Sequence, residues 1–204
     1  MKSLISLCTI LMLLPSSCDK KKANIFDQYR DTIERYQYDF ASTQNKKYLD
    51  SSYQIISKAY TNNVVIDQNT LELIFPTYFN LERYEELSDM LKNKNELDSF
   101  TRDYSINLLE IYSSLKKGNR INVENAANKN IGLIEDKLKR EPFDSVLILE
   151  LYRMKSHIMS MSMMINEVDS LSKTDGLPTS FFYEEILVPE IKRYNKSIPF
   201  LTKD

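Results

Sequence analysis

Few residues in this chain have side chains suited to chemistry. There are two cysteines, Cys8 and Cys18, and a single histidine, His157. Cys18 ends the stretch Leu14-Pro15-Ser16-Ser17-Cys18, between an apolar run from Leu4 to Leu14 and the basic residues Lys20, Lys21 and Lys22. A tetrahedral zinc site needs several His or Cys ligands, and this inventory does not supply them. The carboxylate pairs Glu85-Glu86 and Glu184-Glu185 are sequence neighbours, and neighbouring helix residues do not face one another, so they read as solvated surface. His157 stands one residue before Ile158, off the apolar row of its segment, and reads as a solvated or half-buried helix residue rather than a base. No phosphate loop, no glycine fingerprint and no Gly-x-Ser-x-Gly elbow occurs. Without a nucleophile, a base and an orienting partner, the expectation is a protein that is not an enzyme and holds no cofactor and no metal.

Two features point to binding instead. Thirteen tyrosines and no tryptophan make the chain rich in rings with a polar tip. Most lie on apolar stripes and are expected in the core. The run MSMSMM, residues 159–164, is the second feature, since methionine fits irregular and adaptable contacts. Met161 continues the apolar row of its helix. Met159, Met163 and Met164 remain as candidates for a partner-binding face.

The N-terminus has the order of a signal peptide: Lys2, the apolar run, then small residues. The run makes a helix of about 16 Å, too short for a hydrocarbon core of about 30 Å. Pro15 and Lys21 spoil the ordinary signal-peptidase positions, whereas small residues directly before Cys18 resemble the lipobox of bacterial lipoproteins. The pattern departs from the usual one in carrying Pro, Ser and Ser, with the leucine one place early. The resemblance implies diacylglycerol on the Cys18 sulfur, cleavage before Cys18, and attachment to a membrane. Asp19 after that cysteine resembles an inner-membrane retention signal, although sorting rules differ between bacteria and leave the leaflet open. Two or more acyl chains make such residence stable, and each lysine at 20–22 could add about 1 kcal/mol at an anionic leaflet. The tether from Asp19 to Asn24 spans at most about 20 Å.

Removing residues 1–17 takes Cys8 away, so an intramolecular disulfide is not expected and the core must hold the fold. A net charge of −2 leaves no basic surplus for nucleic acid.

Three glycines and six prolines are too few for a fold of strands and tight turns, so an all-α protein is expected. Apolar spacing of 3 and 4 supports this along the chain. Phe26, Tyr29, Ile33, Tyr36 and Phe40 mark one helix, and Leu49, Tyr53, Ile56 and Tyr60 a second. Leu71 to Met90 holds Pro76, which is expected to kink or split it. Arg102 to Lys116 ends at Gly118, and Val123 to Leu138 ends in basic residues before Pro142. Leu147, Leu151, Met154, Ile158, Met161, Ile165 and Val168 predict one helical spine over 144–171, about 42 Å long. A final helix is expected over 180–195 with Pro189 inside it, and Val64-Val65-Ile66 is a weak strand. Leu71, Ile74, Tyr78, Tyr84, Leu87 and Leu91 together resemble one tetratricopeptide unit with a turn near Asn80. Residues Leu108, Tyr112, Val123, Ala126 and Ala127 look like a looser second copy. The resemblance implies helix pairs stacked as a solenoid, and periodicity alone fits an irregular bundle equally well.

The organisation expected is therefore a signal peptide over 1–17, an acylated cysteine and tether over 18–24, and a single helical domain over 25–204. The expected function is that of a cell-envelope lipoprotein working as an adaptor, with the membrane and another protein as partners. An immunity or inhibitor lipoprotein, and a carrier of an apolar ligand between helices, are the alternatives.

Overall fold

The computed structural model describes residues 25–60, 65–92, 96–171 and 181–195. These residues are all-helical, with no strand among them; Val65 and Ile66 form none, and Val64 lies outside the described residues. A 3-10 turn, Ile25–Tyr29, leads into α1 (Arg30–Thr43), α2 (Lys46–Ala59), α3 (Gln68–Asn80), α4 (Tyr84–Lys92) and α5 (Ser99–Lys116). Then come α6 (Arg120–Leu138), α7 (Ser145–Lys155), α8 (Met161–Leu171), a π-helical turn at Phe182–Leu187, and α9 (Val188–Asn195). Starts are set by side chains that take over orphan backbone donors. The Asp67 carboxylate accepts from the Thr70 amide at 2.9 Å, and Asp144 accepts from Val146 at 2.9 Å and Leu147 at 3.0 Å. Asn45 and Asn119 serve α2 and α6 in the same way.

The chain divides into two compact units at Leu109–Glu110, a point inside α5 and not at a linker. In the first unit α1 packs on α2 and α3, α2 on α3, and α3 on α4. Phe26, Ile33, Leu49, Ile56, Leu71, Ile74, Leu87 and Leu91 lose all contact with water. Each contributes roughly 1.5–3 kcal/mol by that burial. Most of these are the predicted stripe residues, and α3–turn–α4 is present as the expected helix pair with its turn directly after Asn80.

Pro76 does not split α3. A proline inside a helix removes a donor and crowds the carbonyls of the preceding turn. At that turn Gln37 of α1 donates through Nε2 to the Leu73 carbonyl at 2.7 Å and to Thr77 Oγ1 at 2.9 Å. Thr77 Oγ1 also bonds Ser52 Oγ of α2 at 2.8 Å. Ser52 and Thr77 are fully buried, so a small polar hub ties three helices together where the proline disturbs one of them. One consequence is measurable by urea unfolding: Thr77→Val removes the partner of the buried Ser52 hydroxyl and one of the two acceptors of Gln37 Nε2, and should cost about 2 kcal/mol. Adding Ser52→Ala to Thr77→Val should cost less than the two single losses together.

In the second unit α6 packs on α7, and α9 packs on α7, α8 and the π-helical turn. Ile148, Tyr152, Met164, Val168, Phe182, Tyr183, Leu187 and Ile191 form its core cluster. The predicted spine is not one helix. It breaks after Lys155 and resumes at Met161, because serine hydroxyls compete with the backbone there. Ser156 Oγ donates to the Arg153 carbonyl at 2.6 Å, and the amides of Ile158 and Met159 both turn back to the Lys155 carbonyl. Ser160 Oγ then accepts from the Met163 amide at 3.4 Å, at the start of α8. The last predicted helix is also modified. Pro189 offers no amide, and the residues just before it widen into a π-turn in which the Val188 amide reaches the Tyr183 carbonyl.

Two interhelical turns share one geometry with different residues. Gly118 has φ +69°, with its amide on the Leu115 carbonyl and the Asn119 amide on Ser114. Glu82 has φ +58°, with its amide on Phe79 and the Arg83 amide on Tyr78. Both are left-handed helix ends, which glycine adopts freely and other residues adopt at a cost. Glu82→Gly should therefore stabilise the protein by about 1 kcal/mol, and Gly118→Ala should destabilise it by about 1 kcal/mol. Open space surrounds the position of a Cβ on Gly118, so that loss would come from the backbone alone. Thermal unfolding of the two variants should shift in opposite directions.

Candidate functional site

The densest set of buried ionisable groups lies on α7 and its neighbours in the second unit. α7 carries apolar residues on nearly every side, and Leu147, Ile148, Leu151, Tyr152 and Met154 are all buried. Within that apolar helix Glu150 and Arg153, three residues apart, are buried too, and their side chains pair at 3.2 Å. Two charges out of water need each other, since a lone buried charge is far costlier than a matched one. The spacing Glu-x-x-Arg recurs on α9, where Glu190 pairs with Arg193.

Tyr194 of α9 joins the two pairs. It is 8% exposed, and burial pushes its hydroxyl up to about 12. Arg153, Glu150, Glu190 and Arg193 all act on that hydroxyl, the arginines favouring the phenolate and the glutamates opposing it. Arg153 thus pairs with its own carboxylate and also acts electrostatically on the phenol of the neighbouring helix. Next along α7, Lys155 pairs with Glu167 of α8 and sits over the Tyr152 ring, 5.3 Å from its centroid. Burial, then the Glu167 charge, push the Tyr152 hydroxyl well above its ordinary range.

His157 is placed differently from the expectation of a solvated or half-buried helix residue. It lies in the turn after α7, is 9% exposed, and meets the Tyr112 ring edge-on at 6.4 Å between centroids. Burial, assisted by the Arg153 charge, lowers its pKa to about 4, so the ring is neutral at ordinary pH. The arrangement favours charge pairing. Glu150, the nearest carboxylate in sequence, is engaged by Arg153. Among the described residues no group of three or more His, Cys, Asp or Glu side chains is placed to hold a metal ion.

The methionines divide. Met164 is fully buried in the core cluster and Met159 packs partly against it. Met163, 57% exposed, alone of the three turns its side chain mainly to solvent. Met164 is core because α8 presents it, with Val168 four residues on, to the face that meets Tyr152 and Ile191. Cys18, the expected lipidation site, lies outside the described residues. So do residues 1–24 as a whole.

The buried Glu150–Arg153 pair was not anticipated from the sequence, since charged residues on a helix ordinarily mark the solvated face. The available signal was local: two opposite charges three apart inside a segment that is otherwise apolar all round. Comparison with protein families, curated proteins and solved structures finds no match for the chain.

Removing one partner of a buried pair leaves the other uncompensated. Arg153→Met should cost about 3–5 kcal/mol in urea unfolding, whereas Glu150→Leu combined with Arg153→Met should return most of that loss.

Proposed function

We propose that the protein is a membrane-anchored cell-envelope lipoprotein whose helical body acts as a non-catalytic adaptor for another protein. The observation that carries this reading is Leu14-Pro15-Ser16-Ser17-Cys18 between an apolar run and three lysines. In this reading acyl chains on Cys18 provide the anchor, and the short tether keeps the helices near the bilayer. Two features are compatible with it. No helix among the described residues is long and apolar enough to cross a membrane, which is compatible with a lipid anchor. Paired helices also offer the kind of surface that adaptors use, and Met163 is the exposed member of the methionine run.

Two experiments test the two halves separately. The wild-type chain should partition with membranes and take up labelled palmitate, and Cys18→Ser should appear unlabelled in the soluble fraction. A Cys18→Ser product that stays membrane-bound would remove the anchor. For the adaptor, a photocrosslinking side chain introduced at Met163 should trap a protein in intact membranes. Crosslinks to lipid alone would count against a protein partner.

A further inference from the structure

The turn over 156–160 holds the chain's single histidine against the second unit's core, at the point where one helix becomes two. We propose that this turn is an acid-sensitive latch, in which protonation of the buried His157 ring releases the turn and loosens α8 from α7. The inference does not depend on the lipid anchor or on the adaptor reading.

The geometry supports it in three ways. The ring has almost no access to water, and its Nδ1 finds no hydrogen-bond partner among the described residues. A proton added there would meet neither a carboxylate nor solvent, and burying an unmatched charge is strongly unfavourable. Second, the charge that acts on the ring is the wrong sign. Arg153 lies one turn back on α7, and its own partner is Glu150. From the other elements, α5 supplies the Tyr112 ring edge, and the α8 carboxylate Glu167 is engaged by Lys155. On α9, Glu190 is engaged by Arg193, and the Tyr194 hydroxyl stays protonated at any pH at which the imidazole titrates. Third, the residues that would move form a turn and not the middle of a helix. Their amides at His157, Ile158 and Met159 bond back only to Met154 and Lys155.

The sign follows from where the proton binds better. An opened turn exposes the imidazole at its ordinary pKa of about 6.5, whereas the closed turn holds it near 4. The open form therefore binds more protons between these values, and the closed form loses stability as pH falls through that window. Closure is at full strength above about pH 6.5. By pH 5 the open population should rise about twenty-fold relative to neutral pH.

Because there is one histidine, imidazole signals in an NMR titration of the full chain belong to His157 alone. Amide hydrogen exchange, corrected for the intrinsic pH dependence, reads the opening directly. The expected result is a ring that does not titrate near 6.5 in the closed protein, with protection over 157–171 falling about twenty-fold between pH 7 and pH 5. In His157→Gln that fall should shrink to less than about threefold. Amides of α1–α4 should lose no more protection than they do in the variant. If His157→Gln does not fold, His157→Phe keeps a ring against Tyr112 without a titrating group, and the wild-type titration decides by itself. An imidazole that titrates near 6.5 with unchanged protection would overturn the latch. Equal loss of protection in wild type and variant would overturn it as well.

Discussion

A charge taken out of water must be matched where it is buried, and in the second unit that requirement falls on α7. The helix is apolar on almost every side, yet it buries Glu150 and Arg153, which pair with one another at 3.2 Å within a single turn. Their pairing lets an otherwise oily helix carry two full charges in its interior. The same charges act on the buried Tyr194 hydroxyl of α9, so α9 meets α7 through electrostatics as well as through apolar packing by Ile191. A buried pair of this kind adds little net stability, because its desolvation cost offsets most of its attraction.

The first unit solves a milder form of the same problem with neutral groups. Pro76 disturbs the backbone of α3, and the disturbance is met by the amide of Gln37 and the hydroxyls of Ser52 and Thr77. Near its surface, Tyr53 donates to Glu86 at 2.8 Å while Arg83 lies over its ring at 3.9 Å. That half-exposed cluster links α2 to α4 and contributes little on its own, because its ions stay in contact with water. The contrast fits the chemistry of each unit: neutral hydrogen bonds where a backbone group needs a donor, charge pairs where a carboxylate and a guanidinium are buried.

Periodicity made most of the helices legible. Ile33, Leu49, Ile56, Leu71, Ile74 and Leu87 were readable as core from spacing alone, and Gly118 announced its helix end because a positive φ suits glycine. The break in the 144–171 segment was not legible, since the row of Met154, Ile158 and Met161 continues across it at helical spacing. What breaks the helix is hydroxyl competition at Ser156 and Ser160, which leaves the apolar pattern untouched. The turn after Asn80 was legible, but its left-handed backbone at Glu82 was not, because glutamate seldom adopts that conformation. Burial of His157, Glu150 and Arg153 was hidden because residue type points toward solvent and only tertiary packing reverses it. Of the site expected from sequence, the methionine run split between core and surface once α8 fixed which face Met164 occupies.

The most direct measurement is a double-mutant cycle across the two helices, Arg153→Met against Tyr194→Phe, read by urea unfolding. If the α7 charges fix α9, the two changes should couple by at least about 1 kcal/mol. Losses that simply add, within about 0.3 kcal/mol, would mean that α9 is held by apolar packing alone and that the buried pair governs nothing beyond its own helix.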